Sequence, residues 1–322
     1  MSKEVQATGI DAVVSKYSSS TRGYFVDPFL GHFTPEKERK RRSPLINRGY
    51  YARFRIFELM LRRFERAYPG ERQVVSLGGG SETIWFRLRQ REAQPKSYVE
   101  LDLPPVAQAK AAKIISSPEL TSLLINRNEQ QESPEACTLV ADGYRVVSCD
   151  LTDTKRVEEL LIELCGLDPT LPTLFLSECV LVYIEPESSG KLIHWIADTF
   201  SLAAFVTYEQ INPDDPFGEQ MMSNLKRRGC ELKGIRAHPD LPSQEERFLS
   251  RGWTSVHAVD MKNVYYELLS KKDRARVEKL EIFDEFEEFF LIMQHYSFTL
   301  ATMNDVKDKV KLDPEGDTDE LA

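Results

Sequence analysis

Gln73-Val-Val-Ser-Leu-Gly-Gly-Gly-Ser-Glu-Thr83 is the stretch around which the rest of the chain can be arranged. Val74, Val75 and Leu77 form a short apolar run, as a strand buried on both faces does. Gly78, Gly79 and Gly80 stop it, and Thr83-Ile-Trp-Phe-Arg-Leu-Arg89 then reads as a helix. A strand, a glycine turn and a helix open a βαβ unit. Such a turn lets a ligand come close to the backbone, and the helix start offers N–H groups. Downstream, Tyr98-Val-Glu-Leu-Asp-Leu103 supplies a second strand with Glu100 and Asp102 near its end. An acid roughly 20 residues past the turn is where a nucleoside ribose is held in such units. The pattern fits a dinucleotide, a nucleotide or S-adenosylmethionine, and it also fits a plain tight turn.

Composition narrows the field. A chain of 322 residues has room for one large domain or two small ones, and its 41% hydrophobic content supports a sizeable core. A net charge of −9 argues against a general nucleic-acid-binding surface and leaves room for a local basic patch. The five cysteines (Cys137, Cys149, Cys165, Cys179, Cys230) show neither a CxxC pair nor metal-ligand spacing with histidine. Reduced thiols and no metal site are therefore expected. Met1–Ile10 is polar, and no apolar run reaches membrane-spanning length. The expectation is a soluble, cytoplasmic protein without internal repeats.

Residues 1–20 are polar and end in serines, which predicts a flexible N-terminal arm. Lys37-Glu-Arg-Lys-Arg-Arg42 is a basic cluster, either a solvated helix face or a dock for an acidic partner. Ile46, Tyr50, Phe54, Phe57, Leu61 and Phe64 recur at helical spacing, so one side of that helix faces a core. Arg53 sits within it, as a surface charge or as an anchor reaching into a site. Further strands are predicted at Arg145–Leu151, ending at Asp150; from Pro172, with Glu178 at its end; and at Ala203–Glu209, Thr254–Asp260 and Tyr296–Thr302, with helices between them. This division predicts a single domain over 21–302, inserts near 116–143 and 231–250, and a disordered acidic tail over 303–322. Alternating strands and helices argue for an α/β fold with a doubly wound, mostly parallel sheet. Asp102, Asp150 and Glu178 fall at strand ends on one rim with the glycine turn, where such sheets bind ligands. Taken singly, each acid could be a helix cap or a loop charge.

The chain resembles the leucine carboxyl methyltransferase family. The likeness rests on Ile46-Asn-Arg-Gly-Tyr-Tyr-Ala-Arg53, Val75-Ser-Leu-Gly-Gly-Gly80, Val99-Glu-Leu-Asp102, Cys149-Asp-Leu-Thr-Asp153, Ser177-Glu-Cys-Val-Leu-Val-Tyr183 and Tyr208-Glu-Gln210. Phe283-Asp-Glu-Phe-Glu-Glu288 and His295-Tyr296 extend it, so it covers about Lys16 to Thr302. The resemblance implies the Rossmann-like sheet of a class I S-adenosylmethionine-dependent methyltransferase, with its last strand antiparallel and an N-terminal helical cover. It also implies methyl transfer to the C-terminal leucine carboxylate of the protein phosphatase 2A catalytic subunit. By position, Lys16 and Arg53 would hold the methionine carboxylate of S-adenosyl-L-methionine, and Gly78 would let the backbone approach it. Asp102 would take the ribose hydroxyls, Asp150 and the Leu151 backbone the adenine edge, and Glu178 the amino group and cation. Tyr183 and Tyr208 are candidates for the substrate-tail pocket. No catalytic base is expected, because the acceptor carboxylate is already ionised and none of the five histidines falls at these strand ends. Glu82 stands where the family usually carries an aspartate, which adds a methylene at the helix start.

Three other readings share these residues. One relative in the family acts on a modified tRNA base and carries a long extension with propeller-type repeats; the net charge of −9 does not favour RNA. The acceptor could instead be a small-molecule carboxylate, since fold does not set substrate. A non-catalytic S-adenosylmethionine-binding partner is the third, and the retained Arg53, Asp102, Asp150 and Glu178 argue against it.

Overall fold

The computed structural model describes residues 3–126 and 137–315. Its strands are β1 (Gln73–Leu77), β2 (Ser97–Asp102), β3 (Cys137–Ala141), β4 (Tyr144–Ser148), β5 (Thr173–Glu178), β6 (Ala203–Gln210), β7 (Ser255–Asp260) and β8 (Tyr296–Thr302). They form one sheet in the order β3-β4-β2-β1-β5-β6-β8-β7. β4, β2, β1, β5 and β6 run parallel. β8 lies antiparallel between β6 and β7, as the resemblance implies, and β3 adds an antiparallel edge.

Alternate residues of each strand feed two separate cores, which is what makes the sheet doubly wound. Val74, Leu174, Leu176 and Val206 point to the side covered by α1 (Lys3–Thr21), the short α2 (Leu30–Phe33), the long α3 (Pro44–Ala67), α4 (Ile84–Gln90) and α5 (Pro104–Ser116). Val75, Leu77, Phe175 and Phe205 point to the other side, against Leu192, Ile193, Ile196 and Phe248 of later helices. On the first side, Trp85 of α4 stacks on Tyr144 with ring centroids 4.3 Å apart and meets Phe86 edge-on. Thr83 ties the start of α4 to the buried carboxylate of Asp27 in the loop before α2.

In four stretches the structure shows elements that the sequence reading did not assign. The stretch read as a flexible arm is, over its described residues, the helix α1. Serine is a poor helix former on its own, and tertiary contacts outweigh that here: Ser18 Oγ donates to Asn47 Oδ1 and Ser19 Oγ to the Asn47 carbonyl, each at 2.8 Å, while Val13 and Val14 are buried. The insert near 116–143 contains a short helix, Pro118–Ser122, and the strand β3, which a hairpin at Asp142-Gly143 joins to β4. Gly143 has φ +71°, the conformation that an Asp-Gly turn uses; residues 127–136 lie outside the described residues. The stretch near 231–250 includes the helix Leu241–Leu249, whose start is a reciprocal Asp240–Ser243 capping box. In the tail, Val306–Lys309 is a helical turn with Val306 and Val310 buried, and Glu315 pairs with Arg55 at 2.6 Å. Residues 316–322 lie outside the described residues. None of the five cysteines is in a disulfide. Among the described residues no helix is long and apolar enough to cross a membrane.

Trp85 is 1% exposed, so its truncation leaves a cavity beneath the first turn of the sheet. Trp85→Ala should lower the urea-unfolding free energy by about 3–5 kcal/mol. A loss under about 1 kcal/mol would show that α4 docks by other contacts.

Candidate active site

The strand order reverses at β1: β2 and β4 lie on one side of it, β5 and β6 on the other. The glycine turn sits at the end of β1, on that switch point, where neighbouring loops diverge and leave a crevice. Gly78 has φ +70°, and a Cβ there would lie 2.5 Å from Val180 Cγ2, so only glycine fits. The turn does not present free donors. Gly78 and Gly79 N–H donate to the Leu101 carbonyl at 2.7 and 3.3 Å, and Gly80 N–H donates to Asp102 Oδ2 at 2.8 Å. The turn therefore supplies close approach, not a cradle for phosphate.

Beneath the turn lies Glu100, which the sequence sets beside Asp102 near the strand end and which is buried. Glu100 accepts from Lys110 Nζ and, at 2.8 Å, from Tyr144 Oη, and its carboxylate would meet a Cβ on Gly79 at 3.0 Å. Burial pushes the Glu100 carboxyl up, against the pull of Lys110. Glu82 turns to this side too, accepting from Tyr98 Oη at 2.6 Å, so its extra methylene is used in reaching the tyrosine.

Glu178 ends β5 and is the electrostatic centre of the crevice. Lys16 Nζ of α1 lies 2.8 Å from its Oε2, and Arg53 Nε of α3 donates to its Oε1. Burial raises the carboxyl's pKa, but the two cations outweigh it and hold it down to about 2. Burial likewise opposes the charge on Arg53, and Glu178 more than restores it. The guanidinium lies 4.6 Å from the Tyr208 ring centroid and 5.2 Å from that of Tyr50. The next residue, Cys179, takes φ +57°, and its N–H donates to the Tyr208 carbonyl at 2.7 Å. Val180 and Leu181 N–H both donate to Glu209 Oε1 of β6, at 3.2 and 3.1 Å. Glu209 thus holds the turn that aims Glu178. Its quoted position in Tyr208-Glu-Gln210 was the only sequence signal for it.

A cleft of about 240 Å³ opens over these groups, lined by Arg53, Gly78, Asp102, Asp150, Leu151, Glu178 and Tyr183 among others. Lys16 lines an adjoining space of about 70 Å³ with Arg53, Gly78 and Glu178. Burial raises the Asp102 carboxyl, while N–H groups of Gly80 and Leu103 oppose the rise. Asp150 is exposed at the rim and accepts from Thr152 N–H and Oγ1 at 3.0 and 2.8 Å. The structure therefore brings eight of the nine expected site residues to one crevice. Tyr208 is the exception: it stacks on Tyr296 at 5.0 Å behind Arg53 and is not among the cleft-lining residues. α1 forms the near wall through Val5, Thr8, Gly9 and Ala12, and Gln210, Arg228 and Tyr296 line the same cleft. Among the described residues no histidine lines either space. The basic cluster stays at the surface, with Lys37, Arg39, Lys40 and Arg41 exposed; Arg41 pairs with Glu281 at 2.7 Å, and Arg39 donates to the Gly31 and Thr34 carbonyls.

Comparison with known proteins matches this arrangement to one family. The model of the family described as leucine carboxyl methyltransferase matches residues 5–197. The leucine carboxyl methyltransferase 1 homolog of Arabidopsis thaliana is 40% identical over 298 residues, covering 92% of this chain and 88% of its own length. Leucine carboxyl methyltransferase 1 of Bos taurus is 36% identical over 299 residues, 92% of this chain and 89% of that protein. The tRNA wybutosine-synthesizing protein 4 of Homo sapiens is 40% identical over 307 residues, which are 94% of this chain and only 44% of that protein. Among solved structures, a duf574 family protein from Streptomyces avermitilis superposes with a TM-score of 0.53 at 13% identity, covering 91% of this chain and 97% of that one. A putative methyltransferase from Thermobifida fusca gives 0.51 at 12%, covering 90% and 94%. Both share the fold.

The Glu178 cluster carries a pH signature. Its folded pKa lies below its ordinary value of 4.5, so its contribution is complete above about pH 4.5 and fades as pH falls toward 2. Glu178→Gln should cost about 2–3 kcal/mol at neutral pH, less than the roughly 3–5 kcal/mol of a fully buried pair, because the carboxylate keeps 17% of its side-chain surface open to the cleft. In urea titrations the gap between wild type and variant should close between about pH 4.5 and 2; a gap constant down to pH 2.5 would mean the carboxylate is not paired as described.

Proposed function

The chain belongs to the leucine carboxyl methyltransferase family, and on that ground we propose that it transfers a methyl group from S-adenosylmethionine to the C-terminal leucine α-carboxylate of the protein phosphatase 2A catalytic subunit. The observation that carries this reading is the likeness to proteins named leucine carboxyl methyltransferase 1 along nine-tenths of the chain and nearly nine-tenths of their own length.

The chemistry of the cleft suits S-adenosylmethionine. Lys16, Arg53 and Glu178 together carry one excess positive charge, which fits one carboxylate, and Glu178 remains available to an ammonium group. Asp102 would accept from ribose hydroxyls, and Asp150 with the Leu151 backbone would meet the adenine edge, a reading supported by all three lining the cleft. The glycine turn, with its N–H groups already used, asks for a ligand without a pyrophosphate. When bound, S-adenosylmethionine supplies an electrophilic methyl carbon on a sulfonium centre.

The residues of the chain then have two tasks, orientation and exclusion of water. A terminal carboxylate has a pKa of about 3.3–3.7, so it is ionised at neutral pH and needs no base. Its nucleophilicity is limited by hydration, and seating it in the cleft would strip part of that shell. Tyr183, with its hydroxyl pKa pushed up by burial, stays neutral and is placed as a hydrogen-bond donor on the cleft wall. Tyr208 acts indirectly, by supporting Arg53.

The likeness to the human wybutosine-synthesizing protein favours a second reading, methylation of a modified tRNA base. Labelled S-adenosylmethionine incubated with purified phosphatase catalytic subunit, with and without its terminal leucine, and in parallel with tRNA, separates the two. The proposed activity gives a base-labile label only on the intact phosphatase; label on tRNA alone would overturn it.

Two outcomes should accompany that activity. Arg53→Ala should weaken S-adenosylmethionine binding roughly 10–100-fold in calorimetry, since a buried charge partner is lost; unchanged affinity would return Arg53 to a structural role. The single-turnover rate should stay flat between about pH 6 and 8, the range in which an unperturbed histidine titrates. A steep one-proton rise that a single histidine substitution abolishes would mean a base is at work.

A further inference from the structure

On the opposite flank of α3 from the cleft lies a second cavity, of about 730 Å³. Successive residues of a helix point about 100° apart, so Arg53 faces the cleft while Phe54 and Arg55 face this cavity. Its size falls within the range of ligand sites, about 300–1,000 Å³. Its other walls come from the loop Tyr24–Pro28, from α4, from the helix Lys271–Val277 and from Glu315.

The lining is cationic in a chain of net charge −9. Six basic side chains face it, among them Arg55, Arg62, Arg87 and Arg91, against the three carboxylates Glu58, Asp273 and Glu315. Behind the wall, Arg87 also meets Asp27 at 3.3 Å and Arg91 meets Glu65 at 2.8 Å. Arg55 is 3% exposed, and among the described residues its Nη1 has no hydrogen-bond partner. Arg62 Nε likewise has no hydrogen-bond partner among the described residues, although it forms a long ion pair with Glu58 at 4.0 Å. An apolar strip lies beside the arginines: Phe25 and Phe54 stack at 3.8 Å, and Val26 at the mouth is 85% exposed.

The chain itself shows what such a wall accepts. Glu315 arrives on a segment that is neither helix nor strand, and its carboxylate takes Arg55 Nη2 at 2.6 Å and Ser270 N–H at 2.9 Å. Arg63 holds that segment by its backbone, donating to the Lys311 and Pro314 carbonyls at 2.7 and 3.1 Å. A side-chain carboxylate on an irregular segment is thus the chemistry already seated at the edge of the cavity, and Arg62, Arg87 and Arg91 line the wall beyond it.

We propose that this cavity docks an extended acidic peptide segment of a protein partner, one that carries an apolar side chain between its carboxylates, and that Glu315 holds part of the same site. The proposal goes beyond the methyltransferase reading and does not depend on it. The probe is a fluorescein-labelled, capped Glu-Glu-Phe-Glu-Glu peptide, titrated against the full chain by anisotropy at low and moderate salt. Binding should weaken with salt. It should fall at least tenfold in Arg62→Glu and in Arg91→Glu, whose melting temperatures serve as the folding control. A chain ending at Leu312, which lacks Glu315, should bind more tightly than the full chain. No binding by the folded wild type, equal binding of the matched Gln-Gln-Phe-Gln-Gln peptide, or unchanged affinity in both folded arginine variants would each overturn the proposal. Displacement of the peptide by inorganic phosphate at the same low concentration would do so too, by making the cavity a small-anion site.

Discussion

Glu178 is held by two cations that come from different parts of the chain. Lys16 belongs to α1, Arg53 to α3, and the carboxylate to the tip of a central strand 162 residues beyond Lys16 in sequence. Two like charges so close would repel each other in a poorly solvated crevice, and the carboxylate between them makes their proximity tolerable. That one arrangement brings the helical cover onto the open end of the sheet and gives the crevice its roof. It also leaves a positive surplus, so the same contact that closes the fold keeps an anion site in being.

The rest of the crevice is arranged by backbone constraints more than by side-chain reach. Val180 presses against Gly78, Glu100 fills the space beneath Gly79, and Glu209 collects the N–H groups of Val180 and Leu181. Each is a buried polar or steric contact with little freedom to relax. β1, β5 and β6 are thereby locked together at their ends, and the charged groups inherit their positions from that lock.

Much of this was readable in the sequence because periodicity and punctuation carry it. The apolar runs at Val74–Leu77 and Leu174–Leu176, the glycines after the first and the acids after the others located the sheet, its switch point and its rim. What stayed hidden depends on tertiary partners. The serines at 18 and 19 look like a loose segment until Asn47 satisfies their hydroxyls. Nothing local distinguishes Glu209 or Glu100 from any other strand glutamate, since their roles lie in loops and turns on neighbouring strands. Tyr208 was placed on the correct strand but assigned to the wrong surface, because a ring beneath an arginine and a ring on a cleft wall have the same spacing. The strand β3 and the capping box at Asp240 were local signals, Asp-Gly and Asp-x-x-Ser, and were there to be read.

The placement of β8 also bears on the order in which the molecule can be assembled. β8 lies between β6 and β7 and, among the described residues, is the only strand β7 pairs with, so neither neighbour is completed until the last strand arrives. During synthesis β6 is made more than 85 residues before its partner, since Gln210 pairs with Tyr296. At about 5–20 residues per second, a nascent chain keeps that apolar edge unpaired for seconds. An open strand edge is a template for wrong pairing. The antiparallel insertion that finishes the sheet therefore makes folding wait on the far end of the chain, and leaves the half-made protein dependent on whatever shields that edge in the cell.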